Sequence, residues 1–103
     1  MKVTYLYNSG FIVELDKHIL LFDYYQGNIP LLNPNKNLYI FVSHFHHDHY
    51  NPEIYQISHP KITYIIDRKI NNKGIKVHPG KVYDIDDLHI QTLLSTDEGV
   101  AFV

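Results

Sequence analysis

Short runs of apolar and β-branched residues, separated by turn-forming residues, dominate the first part of the chain. Residues 2–7, 11–15 and 18–22 are such runs, and the turn sequences Asn-Ser-Gly and Asp-Lys separate them. Alternation with a period of two residues, bounded by turn residues, is typical of half-buried strands. The pattern therefore predicts an antiparallel meander over residues 1–23.

The middle of the chain has the order strand, loop, helix, strand. Residues 38–42 are wholly apolar, as expected for a buried strand. An Asn-Pro-Glu sequence at residues 51–53 is typical of a helix start, and we predict a helix from there to about residue 58. The β-branched run 61–66 predicts the second strand. Together, residues 38–66 predict a β-α-β crossover.

The last third of the chain, residues 75–103, contains four further apolar runs that predict a second set of strands. A chain of 103 residues suffices for one small domain with a modest core. The final run, residues 100–103, ends without a following turn or partner strand. An unpartnered apolar strand would be exposed. We therefore expect residues 1–103 to form a single, incomplete domain.

Composition excludes several classes of protein. The chain is 45% hydrophobic and 19% charged, which is the balance of a soluble globular protein. It has no apolar run of transmembrane length and no signal-peptide pattern, so we expect a cytoplasmic protein that does not enter a membrane. The absence of cysteine excludes disulfides and thiolate zinc sites. A net charge of −2 gives no basic field for nucleic acid.

A cluster of imidazoles follows the central apolar strand. Four of the eight histidines lie within six residues, at His44, His46, His47 and His49, with Asp48 among them. Imidazole is the commonest metal ligand, and packing four rings together without a cation is costly because each protonation repels the next. A histidine-rich tag or a pair of solvated strand residues is the alternative. The internal position, directly after a strand, favours a metal site.

The spacing of these residues assigns them to ligand pairs. In an extended segment His44 and His46 point to the same side and can reach one metal, whereas His47 points away. A turn at Asp48 and His49 would bring both towards a second metal. Nitrogen and carboxylate donors suit zinc, with iron or manganese as alternatives.

The pattern His-x-His-x-Asp-His at His44, His46, Asp48 and His49 resembles the metal-binding motif of the metallo-β-lactamase superfamily, and it likewise follows a buried strand. The resemblance covers the whole chain but only the N-terminal half of the family fold. It implies an α+β fold class, half of an αββα sandwich, with a mixed, mainly antiparallel sheet and flanking helices.

The resemblance also implies a function. It indicates a metal-dependent hydrolase, binuclear with two zinc ions, that cleaves an ester-like, lactone or phosphodiester bond. Asp48 would bind the second metal and orient or deprotonate the nucleophilic water. Asp23, at the end of the strand before the metal loop, would orient a ligand imidazole; the alternative is a strand-end Asp that bonds nearby backbone amides, which is a common arrangement. Within the superfamily, the chain is most similar to the lactonase and tRNA-processing nuclease branch.

The number of ligands predicts a partner. A catalytic zinc usually has three protein ligands and a water molecule, whereas this motif offers two residues per metal. We expect the remaining C-terminal half of a longer protein, or a second copy of the chain, to complete the site. The alternatives are a non-catalytic metal-binding fragment and a mononuclear-iron oxidoreductase that resembles persulfide dioxygenases, which use the same ligands.

Overall fold

The structure, a computed structural model, describes residues 1–6, 10–44, 49–94 and 99–102. Strands account for most of the regular structure in these ranges. The strands are β1 (Lys2–Tyr5), β2 (Phe11–Glu14), β3 (His18–Phe22), β4 (Asn37–Val42), β5 (Ile62–Asp67), β6 (Ile75–Val77), β7 (Val82–Ile85), β8 (Leu88–Leu94) and β9 (Val100–Phe102), and one 3₁₀-helix covers Pro52–Gln56.

Two sheets are formed. The larger has the order β1-β2-β3-β4-β5-β6, and the smaller has the order β7-β8-β9. In the larger sheet β1, β2 and β3 are antiparallel neighbours, whereas β3, β4, β5 and β6 run parallel. The smaller sheet is antiparallel throughout. Because β3, β4 and β5 are parallel, their carboxyl ends meet at one edge of the larger sheet.

Strand β4 is the centre of the molecule because both of its faces are covered. Leu38, Ile40 and Val42 belong to one buried cluster, which the 3₁₀-helix helps to cover through Ile54. Tyr39 and Phe41 belong to a second buried cluster, on the opposite face. That cluster also contains Ile65 and Val77 from the larger sheet and Ile90 and Val100 from the smaller sheet. The smaller sheet therefore packs against the second face of the larger one.

An aromatic row crosses the first four strands on the face that the smaller sheet covers in part. Tyr5, Phe11, Phe22 and Phe41 occupy paired register positions, and their successive ring centroids are 6.5, 4.8 and 4.6 Å apart. Phe102 of β9 lies 5.1 Å from Phe41. The β9 end of the row is thus covered, while Tyr5 at the other end is exposed.

The turn between β7 and β8 ties the two sheets together at the edge opposite the carboxyl ends. The Tyr39 hydroxyl donates to Asp86 Oδ2 over 2.6 Å, and His18 Nε2 lies 2.6 Å from Asp87 Oδ1. Burial, together with the hydrogen bond to the Asp86 carboxylate, raises the pKa of the Tyr39 phenol. The hydrogen bond from Tyr39 to Asp86 therefore requires that the Tyr39 phenol is protonated.

The predicted fold class is wrong in its helices. No α-helix occurs within the described ranges, so the α+β sandwich with flanking helices is replaced by an all-β arrangement with one 3₁₀-helix. The predicted helix start is present, because Asn51 caps the amide of Glu53 and Pro52 follows it. However, the helix ends at Gln56, and Ile57 is already extended.

Tertiary contacts explain why the helix stops early. Ile54 is fully buried against the sheet, and its carbonyl accepts a hydrogen bond from the Tyr64 hydroxyl of β5. The Tyr55 ring packs at an angle against the Tyr64 ring, with centroids 4.5 Å apart, and the Tyr55 hydroxyl donates to the carbonyl of Lys73. These contacts fix a single tight turn, and β-branched residues at positions 54 and 57 add little helical preference. The parallel β4–β5 pairing predicted for this crossover is observed.

The domain boundaries predicted from the sequence stay predictions, but the strands distribute differently between the sheets. Residues 75–103 were expected to supply one second set of strands. Instead β6 adds to the larger sheet, where it pairs with β5, and the smaller sheet begins at Val82.

Candidate metal centre

The candidate site lies where β3 and β4 end. Asp23 directly follows β3, and Ser43 and His44 directly follow β4, its parallel neighbour. The carboxyl edge of parallel strands is where ligands bind in many open sheets, because loops diverge there and leave side chains accessible. This edge holds His44, the first residue of the histidine cluster.

Asp23 is held in a left-handed backbone conformation, with φ of 48°. Its amide donates to the Phe41 carbonyl over 2.9 Å, which extends the pairing of β3 with β4 by one residue. Asp is one of the few residues other than Gly that adopt this conformation readily. The turn aims its carboxylate across the end of β4.

The Asp23 carboxylate accepts three hydrogen bonds. Oδ1 accepts the Ser43 amide over 2.8 Å, and Oδ2 accepts the Ser43 hydroxyl over 2.6 Å. Oδ2 also lies 3.2 Å from Nδ1 of His49. An ionised carboxylate has about four acceptor sites, so most of its capacity is used within the protein. Its geometry suits an orienting group better than a metal ligand.

These bonds fix the tautomer of both histidines. Because the Ser43 hydroxyl gives its single proton to Asp23, Ser43 Oγ accepts from Nδ1 of His44, 2.7 Å away. Nδ1 of His49 donates to Asp23 in the same way, since a carboxylate has no proton to give. Each ring therefore carries its proton on Nδ1. Nε2 is then the candidate ligand atom on both His44 and His49.

Close packing by β9 holds His44 in place. Its exposed fraction is only 7%, and the Val100 amide donates to the Ser43 carbonyl over 2.9 Å. Gly99 lies directly against the His44 ring: a Cβ there would be 2.3 Å from His44 Cδ2 and 2.3 Å from the Ser43 carbonyl oxygen. Only glycine fits such an approach, so Gly99 lets the smaller sheet clamp the imidazole.

Asp23, His44 and His49 form the candidate metal cluster. One ligand atom from each lies within 4.8 Å of the others, and the two imidazole rings have centroids 4.5 Å apart. His44 is buried, while the side chains of His49 and Asp23 are 19% and 15% exposed. Two imidazoles whose ring protons are held by a nearby carboxylate are an arrangement found at zinc sites. The residues therefore fit the metal that the motif implies.

The predicted site residues fall into two groups. His44, His49 and Asp23 come together as described, whereas His46 and Asp48 lie outside the described residues, as does His47. Both sequence-based interpretations of Asp23 are compatible with its contacts, since it bonds a backbone amide and an imidazole at once. The assignment of His44, His46, Asp48 and His49 as metal ligands, with Asp23 orienting an imidazole, stays a prediction.

Sequence reasoning missed two residues of this site. The Ser43 hydroxyl bonds to both Asp23 and His44 and so links the carboxylate to the imidazole. Gly99, 55 positions after His44, leaves room for the His44 ring. The Ser43 hydroxyl had one usable signal, its position between a buried strand and a histidine. The contact of Gly99 depends on how the two sheets stack, which no local pattern specifies.

A cavity of about 310 Å³ adjoins the cluster. Asp23, Ser43 and His44 form its polar end. Phe11, Phe22 and Phe102 form the apolar walls, together with Val100 and Ala101. The candidate ligands thus border a space with largely apolar walls.

Comparisons with protein-family models and with curated proteins found no match to the chain. Among the residues that the structure describes, no helix is both long and apolar enough to cross a membrane.

Proposed function

We propose that this chain binds a divalent metal, zinc foremost, at the carboxyl ends of β3 and β4, and that it is the metal-holding part of a metal-dependent hydrolase. The proposed ligands are His44 and His49, together with His46 and Asp48 of the intervening sequence. The observation that carries the proposal is the Asp23 carboxylate, which sets the tautomer of both imidazoles at once. Such orienting carboxylates are typical of metal-bound histidines.

The donor chemistry supports zinc over other ions. Zinc binds both imidazole nitrogen, a borderline donor, and carboxylate oxygen, a hard donor, and iron and manganese share this preference in part. The pattern of four ligands supports two zinc ions, one at His44 and His46 and one at Asp48 and His49. The resemblance to the metallo-β-lactamase superfamily supports the same count.

The reaction proposed is hydrolysis of an ester-like, lactone or phosphodiester bond. Bound zinc would supply a water molecule with a pKa of about 7 and polarise the substrate oxygen. Asp23 keeps His44, through Ser43, and His49, by direct contact, in the tautomers that leave Nε2 to the metal. Asp48 would bind the second metal and orient or deprotonate the attacking water.

A partner segment is part of the proposal. The outer edges of β1 and β9 carry no paired strand among the described residues. The rest of a longer chain or a second copy, adding donors to the two per metal, would complete the coordination. A cytoplasmic location also remains part of the proposal, on the grounds of sequence alone.

Elemental analysis of the purified chain, prepared without a histidine tag, tests this function. Zinc near two per chain, together with hydrolysis of a p-nitrophenyl ester that chelators abolish, is expected. Iron in place of zinc would favour the oxidoreductase alternative. Metal content no higher than in His44→Ala would contradict metal binding, and full zinc without hydrolysis would leave a non-catalytic metal-binding fragment.

A further inference from the structure

We propose that the site takes substrates whose hydrolysable carbonyl carries an uncharged, apolar acyl group, and that this group lies in the groove between β3 and β9. This inference rests on the proposed function. It selects an acyl substrate, such as an ester, thioester or lactone, over a phosphodiester.

The groove lies beside one candidate ligand, His44. Asp23, Ser43 and His44 are its polar lining residues, so a substrate bound through a metal at His44 would lie next to the 310 Å³ cavity. Phe11, Phe22 and Phe102 line the rest. Phe11 stacks on Phe22 with centroids 4.8 Å apart, and Phe102 lies 6.5 Å from Phe22 on the other side. The groove is therefore an aromatic slot beside His44.

A second cavity lies beside the first and shares part of its wall. It has a volume of about 160 Å³ and shares Phe22 and Phe102 with the first cavity. Leu20, Leu88 and Ile90 add aliphatic walls. A chain of several methylene groups can follow this path away from the metal. Each buried methylene raises affinity by about fourfold, so the length of the acyl group is a measurable property of the slot.

The charges around the groove disfavour a phosphate. All nine Lys and Arg residues of the chain lie in the described ranges, and none of them lines either cavity. The charged side chain among the lining residues is the Asp23 carboxylate, so apart from a bound metal the groove offers an anion no positive charge. His89, on the rim of the second cavity, bonds to Asp84 over 2.7 Å. Phosphodiester recognition normally relies on Arg or Lys, and this groove supplies neither.

The first test uses the metal-free chain and an uncharged probe. N-methylhexanamide is titrated against ¹⁵N-labelled protein, with N-methylacetamide as the short control. We expect shifts at the amides of Phe11, Phe22 and Phe102 with the longer amide, and an affinity at least about tenfold weaker for the shorter. Shifts spread over the surface, or equal affinities, would overturn the proposal. Because no metal is present, this result does not depend on the proposed function.

The second test adds zinc. Hexanohydroxamate and acetohydroxamate share one metal-chelating head and differ only in chain length. Hexanohydroxamate should bind the zinc-loaded chain at least about tenfold more tightly. Phe11→Ala should remove this preference, Phe11→Leu should retain it, and Val13→Ala, two positions along the same face of β2, should leave it unchanged. The control variant Val13→Ala should also bind acetohydroxamate as the unsubstituted chain does.

The outcomes separate the two proposals. If the chain binds N-methylhexanamide in the groove but does not bind zinc, the proposal of an apolar slot is supported and the proposal of a metal site is refuted. Zinc binding with no preference for chain length, or with diethyl phosphate bound more tightly than hexanohydroxamate, would refute the slot and sustain the metal site. If the backbone N–H groups of β9 exchange hydrogen more slowly at higher protein concentration, and neither N-methylhexanamide nor N-methylacetamide binds there, a second copy fills the groove. That result also overturns the proposal.

Discussion

Asp23 and Ser43 join the ends of two adjacent parallel strands through two hydrogen bonds, one from the Ser43 amide to Oδ1 and one from its hydroxyl to Oδ2. The same Oδ2 lies 3.2 Å from the His49 ring, and the Ser43 hydroxyl accepts from the His44 ring. A single carboxylate thus sets the orientation of two imidazoles that are separated by five positions in sequence. The candidate metal centre depends on this arrangement.

Asp23→Asn should lower zinc affinity by about 10- to 100-fold, as expected when a group that orients a ligand histidine is lost. Asparagine tolerates the left-handed backbone at this position, so the substitution removes the charge and an acceptor without straining the turn. The amide nitrogen would face either Ser43 or His49 as a donor where an acceptor is required. Competition with a chromogenic zinc chelator measures the affinity.

Asp86→Asn is the matched control for that variant. Asp86 has the same left-handed backbone, with φ of 54°, but it lies in the turn between β7 and β8 and bonds to Tyr39. It should lower the free energy of unfolding by about 1 kcal/mol and leave zinc affinity unchanged. Equal losses of zinc affinity in both variants would show that Asp23 acts only through stability.

Gly99→Ala should displace His44 and weaken both stability and zinc binding. Its methyl group would overlap the His44 ring and the Ser43 carbonyl, an overpacking that typically costs about 1–3 kcal/mol. Chemical denaturation of the metal-free chain and a zinc titration measure the two effects.

Gly80→Ala provides the comparison for Gly99. Gly80 has a φ of +72° and open space around it, so its alanine variant costs about 1–2 kcal/mol in backbone strain without touching the site. Zinc affinity should be unchanged. If Gly99→Ala also left zinc affinity unchanged, the proposal that close packing at Gly99 holds the His44 ring in place would be refuted.

Stability should fall at alkaline pH. Burial raises the pKa of Tyr55 to about 12, and burial with the Asp86 hydrogen bond raises the pKa of Tyr39. A phenol in the unfolded chain titrates near 10. Both phenols therefore stabilise the fold fully below about pH 10, and this contribution is lost as pH rises because the unfolded chain releases its protons first.

Urea unfolding of the metal-free chain at pH 8 to 11.5 tests this dependence. Tyr39→Phe should lower the free energy of unfolding by about 1 kcal/mol at pH 8, since it loses one hydrogen bond to an exposed carboxylate, and should flatten the decline above pH 10. Tyr5→Phe, at an exposed phenol, should keep the decline unchanged. Identical slopes in the two variants would contradict the assignment to Tyr39.

The sequence predicted the parts of the fold that depend on local pattern. The wholly apolar run at residues 38–42 indicated a strand covered on both faces, and β4 is that strand, since each of those residues is buried. The alternating runs of the first 22 residues predicted three antiparallel strands, which β1, β2 and β3 form. Local periodicity suffices there because it reflects which face meets the core.

The prediction of helices was wrong because the helix-start signal is local, whereas tertiary contacts determine how far the helix continues. Asn51 and Pro52 start a helix as their chemistry favours, but burial of Ile54 and the contacts of Tyr55 end it after five residues. The site shows the same division. The spacing of the histidines indicated a metal, whereas the relay through Ser43 and the approach of Gly99 arise only when separate strands meet.

A zinc titration of the unsubstituted chain beside His44→Ala, His49→Ala and His89→Ala tests the central claim most directly. His89 is an exposed histidine that, like His49, pairs with a carboxylate, but it lies outside the cluster. We predict saturable binding that falls by more than about 100-fold in the first two variants, since losing a ligand exceeds the loss of a residue that only orients one. His89→Ala should bind as the unsubstituted chain does. Binding by the unsubstituted chain that is no tighter than binding by His44→Ala would contradict the account.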